Sequence, residues 1–234
     1  MSGYFITSTG TGVGKTFVTC ALTQQAIEAG YKVNSIKPVI SGYDPSDHEN
    51  DVFQLISAKN MQINEENVHK TTLYTLKMPI SPDMSAKYEQ KILSFPKIMS
   101  FCAENAQKQH DFLFIEGIGG VMTPLVDDKT VLDLIGGLNL PTIMVAGSYL
   151  GSISHCLTAL EAMKSKNILV QAIIVSESSE PSISNAEVQE ILSRYTNIPT
   201  FSLPRIASGA KNWQNAPNLL NILEHSIYDQ KKAG

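Results

Sequence analysis

The chain is short of the features that mark several protein classes. Only three of its 234 residues are cysteine, namely Cys20, Cys102 and Cys156. They stand far apart in helix-like stretches and lack metal-ligand spacing, so neither a disulfide scaffold nor a zinc cluster is predicted. Each reads as a small apolar core residue in a reducing compartment. There is no excess of basic charge. With a formal net charge of −4 and a pI near 5.7, no nucleic-acid partner is expected, since that needs a basic face. Apolar runs of the roughly 20 residues needed to cross a bilayer are missing too, so no membrane partner is expected. Repeats, low-complexity tracts and linkers between two cores are also lacking. These absences predict one soluble, cytoplasmic α/β domain over residues 1–234, long enough to bury a sizeable core.

What is present is concentrated first in residues 4–16. Tyr4-Phe5-Ile6 reads as a buried strand, a loop of Ser, Thr and Gly follows, and Val13-Gly14-Lys15-Thr16 opens a helix. Small loop residues let backbone N–H groups converge on an anion, and the helix N-terminus adds its positive end. Lys15 is predicted to reach the outer phosphates of a nucleotide and the Thr16 hydroxyl to meet magnesium. The usual spacing asks for glycine where this chain has Thr9, and an incidental tight turn is the plain alternative. A phosphate loop starting at about residue 8 leaves no room for a signal peptide ahead of it.

Strands and helices then alternate, which predicts a mainly parallel sheet with helices on both faces, the architecture of P-loop NTPases. Phe17, Ala21, Leu22 and Ala26 mark a helix that stops at Gly30. Residues 32–40 read as one strand, interrupted by Lys37 just before Pro38. Lys37 either lies exposed on an edge or needs a buried partner, because an unpaired ammonium in the core is costly. Asp51, ahead of Val52, Phe53, Leu55 and Ile56, is either an N-cap or a carboxylate near magnesium, and the two roles are compatible. Residues 61–95 carry a weak pattern punctuated by prolines, with 78–82 as a loop, and loops of this length often line the substrate side. A helix is expected over 97–108.

Asp111-Phe112-Leu113-Phe114-Ile115 is the clearest buried strand, and it delivers Glu116 at its C-terminal end before Gly117-Ile118-Gly119-Gly120. An acid placed there beside a phosphate loop suits a magnesium-nucleotide site. Further elements are predicted as a helix at 131–138, a strand at 141–146, and a helix at 152–166 in which His155 is an ordinary helix residue. A strand at 171–176, a helix at 183–195, a strand at 200–203 and a closing helix at 219–227 follow, with a solvated Lys231-Lys232 tail. Right-handed crossovers bring the strand ends at Thr7, Lys37 and Glu116 to one edge.

Four motifs together resemble the dethiobiotin synthetase family over almost the whole chain. They are residues 9–16, Lys37-Pro38-Val39-Ile40-Ser41-Gly42, Glu116-Gly117-Ile118-Gly119-Gly120 with Thr123-Pro124-Leu125, and Leu150-Gly151-Ser152-Ile153-Ser154-His155. The resemblance implies an ATP-dependent enzyme that turns 7,8-diaminopelargonic acid and CO2 into dethiobiotin, via a carbamate and a carbamic-phosphoric anhydride. By that resemblance Lys15, Lys37, Thr11 and Ser41 act at the carbamate and γ-phosphate, while Thr16, Asp51 and Glu116 hold Mg2+. The nucleotide is expected on Gly12, Val13, Gly14, Lys15, Thr16, Glu116 and Gly119, with its base near Ser176, Pro204, Arg205 and Ile206. The diamine is expected against Ser41, Thr123 and Pro124, its carboxylate reaching Leu150, Gly151 and Ser154 across a homodimer interface.

The chain departs from the family in three places. Ser8 stands where glycine usually begins the loop, Ser176 where an asparagine often reads adenine, and Ser154 where asparagine is common. Rival readings are a partitioning or metallocentre-assembly NTPase, another ATP-dependent amidoligase, and a nucleotide-binding regulatory module. The first usually carries an extra early lysine where this chain has Ser8, Thr9 and Gly10. The second does not explain residues 37–42 together with 150–154, and the third leaves Lys37 and Ser41 without a task.

Overall fold

A computed structural model gives the protein's structure over residues 2–223. In chain order the elements are β1 (Ser2–Ser8), α1 (Lys15–Glu28), β2 (Val33–Ile36), β3 (Val39–Ile40), α2 (Asp51–Ala58), α3 (Glu65–Thr71), β4 (Tyr74–Thr75) and α4 (Pro82–Tyr88). Then come α5 (Phe95–Gln107), β5 (Phe112–Glu116), β6 (Pro124–Val126), β7 (Lys129–Thr130), α6 (Val131–Leu138) and β8 (Thr142–Ala146). The last are α7 (Ser152–Ser165), β9 (Val170–Ser176), α8 (Asn185–Ser193), β10 (Thr200–Leu203) and a 3-10 turn at Asn212–Asn215. The predicted helix at 219–227 extends past Leu223, and with the Lys231-Lys232 tail that part lies outside the described residues.

Six strands form one sheet in the order β10-β9-β8-β1-β5-β2, and every pairing in it is parallel. Such a sheet is covered on both faces, so its central strands read as continuous apolar runs rather than alternating ones. All five residues of β5 and of β8 are buried. The period of two then sorts side chains between two cores. Tyr4, Ile6, Phe114, Ile143 and Val145 pack on α1 with Val18, Ala21, Leu22 and Trp213. Phe5, Leu113 and Ile115 face the other way, with Ile98 of α5 and Ile135 of α6. Met144 and Val175 share that second face with Leu160 of α7 and Leu192 of α8. Each fully buried side chain of this size contributes about 1.5–3 kcal/mol.

Two predicted elements change. The strand expected over 32–40 is split at Lys37-Pro38. Pro38 has no N–H to give a ladder, and the Lys37 N–H leaves the sheet to bond Thr71 O at 2.9 Å. β3 then pairs with β4 in a small separate sheet. The stretch 61–95, read as a long loop, instead contains α3, β4 and α4; ahead of the helix expected at 131–138, residues 124–130 form a β6–β7 hairpin that turns at Asp127, whose φ is 51°.

Candidate active site

Strand register builds the centre of the site. Ile36 of β2 pairs with Ile115 of β5, so the next residues, Lys37 and Glu116, fall side by side. Lys37 Nζ lies 2.6 Å from Glu116 Oε1 and 2.5 Å from Asp51 Oδ2. The Lys37 and Glu116 side chains are 4% and 0% exposed, so the edge-strand alternative for Lys37 is excluded. Thr16 Oγ1 completes the cluster, 2.9 Å from Asp51 Oδ1 and 2.8 Å from Glu116 Oε1. Burial alone would lower the Lys37 pKa, but the Glu116 and Asp51 carboxylates outweigh it and hold the ammonium above its usual range. Burial likewise pushes Asp51 up, and Lys37 outweighs it, leaving the carboxyl below its ordinary value.

The N-cap reading of Asp51 is corrected. Asn50 caps α2, its side chain accepting the Phe53 N–H at 3.1 Å. Asp51 is the first helical residue, which frees its carboxylate for Lys37 and Thr16.

Lys15 is held differently. Its Nζ donates to Gly119 O at 2.8 Å, Ser8 Oγ at 2.9 Å and Gly10 O at 3.2 Å. Burial, then repulsion from Lys37, brings its pKa down to about 8. Ser8 ends β1 in extended backbone, so no glycine conformation is needed there. Its hydroxyl sits 2.6 Å from Gly10 O and braces the lysine as well.

No side chain caps the start of α1, where Gly14 adopts φ 101°. The first-turn N–H groups are therefore left for an anion. A Cβ at Gly14 would come within 2.9 Å of Ser176 Oγ, so conformation and space both require glycine.

Two cavities meet at this loop. The first, about 980 Å3, is lined by Thr11, Gly12, Gly14, Lys15, Thr16, Lys37, Ser41, Asp51, Gly119, Thr123 and Pro124. The second, about 790 Å3, is lined by Val13, Ser176, Pro204, Arg205, Ile206 and Leu150, and it shares Thr11, Gly12 and Gly14 with the first. Glu116 does not line the first cavity but contacts Thr16 and Lys37, which do. Gly151 and Ser154 line neither cavity.

A family model described as an AAA domain matches residues 2–208. Over 220 residues the chain is 36% identical to the ATP-dependent dethiobiotin synthetase BioD of Phenylobacterium zucineum, spanning 92% of this chain and 93% of that one. The chain belongs to the dethiobiotin synthetase family. It is thereby an ATP-dependent ligase. The same-named protein of Caulobacter vibrioides is 35% identical over 225 residues, 95% of this chain and 99% of its own. Among solved structures, the MinC:MinD cell division protein complex of Aquifex aeolicus superposes with a TM-score of 0.49 at 15% identity, covering 75% of this chain and 68% of that one.

The oxygen set of this dethiobiotin synthetase family member fits a hard divalent cation. One Thr16 hydroxyl proton can serve only one of its two carboxylate neighbours, and Glu116 Oε2 is buried with no hydrogen-bond partner. Two carboxylates and a hydroxyl suit Mg2+, which keeps several ligands for phosphate and water. Among the described residues no group of three His, Cys, Asp or Glu side chains could hold a metal unaided.

Sequence reasoning missed part of the wall. Ser208, Gly209, Ala210, Lys211, Asn212 and Trp213 line the first cavity, as do His48, Glu49 and Gln54. Nothing in residues 208–213 marks a site except their place after a strand's C-terminal end, where ligands of parallel sheets gather. Pro79, Ile80 and Ser81, from the loop expected at 78–82, also line it.

Proposed function

We propose that this dethiobiotin synthetase family member closes the cyclic urea of dethiobiotin from 7,8-diaminopelargonic acid, CO2 and ATP, with the whole chain working as one unit. The observation that carries the reading is Lys37. A phosphate loop alone suffices to bind or hydrolyse a nucleotide, whereas here a second buried ammonium shares a cavity with Lys15, Thr11, Ser41 and Thr123. An anionic nucleophile approaching a polyphosphate needs that extra positive charge.

In the proposed sequence one amine takes up CO2 as a carbamate, losing a proton. A carbamate oxygen forms a bond to the γ-phosphorus as the bridging oxygen departs with ADP. The second amine then attacks the carbamoyl carbon, loses a proton and expels phosphate, which keeps the former carbamate oxygen. Lys15 and Lys37 offset the repulsion between carbamate and triphosphate, and Thr11 and Ser41 orient the two. Mg2+ held by Thr16, Asp51 and Glu116 would neutralise charge on the β- and γ-phosphates. Holding both amines of one flexible molecule at the reacting carbon supplies much of the acceleration.

A homodimer would unite the substrate residues that one chain keeps apart. Leu150, 86% exposed, does not line the cavity that holds Ser41, Thr123 and Pro124. We place a partner's 150–154 segment over that cavity, where the uncapped α7 N-terminus offers donors to the substrate carboxylate. Mixing two inactive variants, Lys37→Ala and Gly151→Asp, should then restore activity, because one of the two sites in a mixed dimer is intact. The three cysteines are free and buried, and no helix among the described residues is long and apolar enough to cross a membrane. Both facts support a cytoplasmic setting.

The test of the function is ADP release and dethiobiotin formation with and without diaminopelargonate and bicarbonate. The reading requires ADP release to depend on both. Equal ADP release without the diamine would point to a plain NTPase.

A further inference from the structure

We infer that Glu89 is a positioning residue for the diamine: it holds segment 76–81, and through it Ser41, as one wall of the first cavity. The inference rests on the substrate reading proposed above. Segment 76–81 joins β4 to α4. Pro79, Ile80, Ser81 and Pro82 line the first cavity together with Ser41 and Pro124, and none of these six lines the second. A nucleotide whose base lies in the second cavity meets none of them there. Three prolines and an isoleucine suit an alkyl chain better than a phosphate.

Glu89 stands behind this wall. It is the C-cap of α4, a place where the helix dipole disfavours a carboxylate. Donors gathered around it compensate. Glu89 Oε1 accepts the Lys77 N–H at 2.6 Å and the Met78 N–H at 3.4 Å, with Ser85 Oγ at 2.9 Å. Oε2 pairs with Lys91 Nζ at 2.8 Å, and Lys91 also donates to Thr75 O at 2.8 Å. Burial alone would raise the Glu89 pKa, but these donors outweigh it and bring the carboxyl down to about 2.

The segment passes the constraint on to Ser41. The Gly42 N–H donates to Met78 O at 3.2 Å and the Tyr43 N–H to Leu76 O at 2.8 Å, so the two residues after Ser41 are tied to it. Ser85 Oγ also lies 3.2 Å from Met78 O. Gly42 has a φ of 71°, and a Cβ there would come 3.1 Å from Pro79 Cβ. The two stretches are thus packed against each other at the cavity wall, and a loosened 76–81 would carry Ser41 with it.

The experiment combines steady-state kinetics on diaminopelargonate with calorimetric binding of Mg-ATP. It uses the full chain as wild type, Glu89→Ala, Glu89→Gln and Ser85→Ala. Glu89→Ala should raise the KM for the diamine about tenfold or more and keep Mg-ATP affinity within about twofold, because small displacements of a positioning wall cost heavily. Glu89→Gln keeps an oxygen for the Lys77 N–H and should recover most of that loss. Ser85→Ala should raise the same KM about threefold, the value of one hydrogen bond, and it carries the test if Glu89→Ala does not fold. An unchanged diamine KM in the variant that carries the test overturns the inference. So does equal weakening of diamine and Mg-ATP, the mark of a general loss of structure. A Glu89→Gln chain as impaired as Glu89→Ala overturns it too, since the contacts to the segment would then not be what counts. If wild type binds Mg-ATP but makes no product from the diamine, the proposed function itself fails and takes this inference with it.

Discussion

Replacing Lys37 by methionine isolates what the buried ion cluster does for the fold. The variant removes the cation that lies 2.5 Å from Asp51 and 2.6 Å from Glu116. Asp51 and Glu116 then face one another with only the Thr16 hydroxyl between them, and the Glu116 side chain has no exposed surface. Breaking a buried pair by deleting one partner costs about 3–5 kcal/mol, because the surviving charge is left uncompensated. In a chain of 234 residues each kcal/mol moves the melting temperature about 2–4 °C, so a fall of about 6–20 °C is expected. The assay is thermal unfolding by circular dichroism in EDTA and again with magnesium chloride. Magnesium should restore much of the loss in the variant and change the wild type far less, because it neutralises the two carboxylates that the ammonium had paired. A fall below about 2 °C in EDTA, or a variant indifferent to magnesium, would refute the reasoning.

Asp51→Asn should raise the magnesium concentration needed for ATP turnover, whereas Asn50→Ala should cost about 1 kcal/mol of stability and leave that dependence alone. Unchanged magnesium dependence in Asp51→Asn removes it from the ligand set. Base selectivity should be poor. Ser176 lacks an amide's paired donor and acceptor, and the neighbouring Asn185 spends its Nδ2 on Val175 O and Leu203 O, each at 3.0 Å. Turnover at limiting ATP, CTP, GTP and UTP tests this, and a preference for ATP beyond about a hundredfold, on the order of 3 kcal/mol, would show that another group reads the base. Among the described residues Lys59 bonds only Ser35 O and Thr71 Oγ1, and burial brings its pKa down to about 8. The fold favours its neutral form, so stability should rise between pH 8 and about 10.4, where the unfolded chain still holds the proton. Denaturant unfolding of wild type and Lys59→Met across that range should diverge in favour of wild type, and parallel curves would contradict the assignment.

The chemistry-bearing strand ends could be read from the sequence because local pattern and function coincide there. A buried apolar run must finish somewhere, and Glu116 and Lys37 are conspicuous as charges placed where only a partner makes burial tolerable. Their mutual contact needed the register of β2 on β5, which no single stretch encodes. The split at Lys37-Pro38 was hidden by the apolar residues on either side of it. The true cap of α2 was obscured by two adjacent capping-type residues, Asn50 and Asp51, of which either could serve. Residues 208–213 carried no local signal, since their place in the site comes from tertiary anchors on Gln24 and Gln25. Ser176 and residues 204–206, expected at the base by resemblance alone, lie together because β9 and β10 end side by side with Ser176 opposite Leu203.

The central claim is that a carbamate oxygen, and not water, attacks the γ-phosphate in the cavity shared by Lys15 and Lys37. The most direct measurement is the fate of oxygen from 18O-labelled bicarbonate during brief turnover with diaminopelargonate and Mg-ATP, read by mass spectrometry of the phosphate released. The account predicts one labelled oxygen in each phosphate, carried across when the second amine expels it. Phosphate free of label, formed at the rate of ADP, would contradict it.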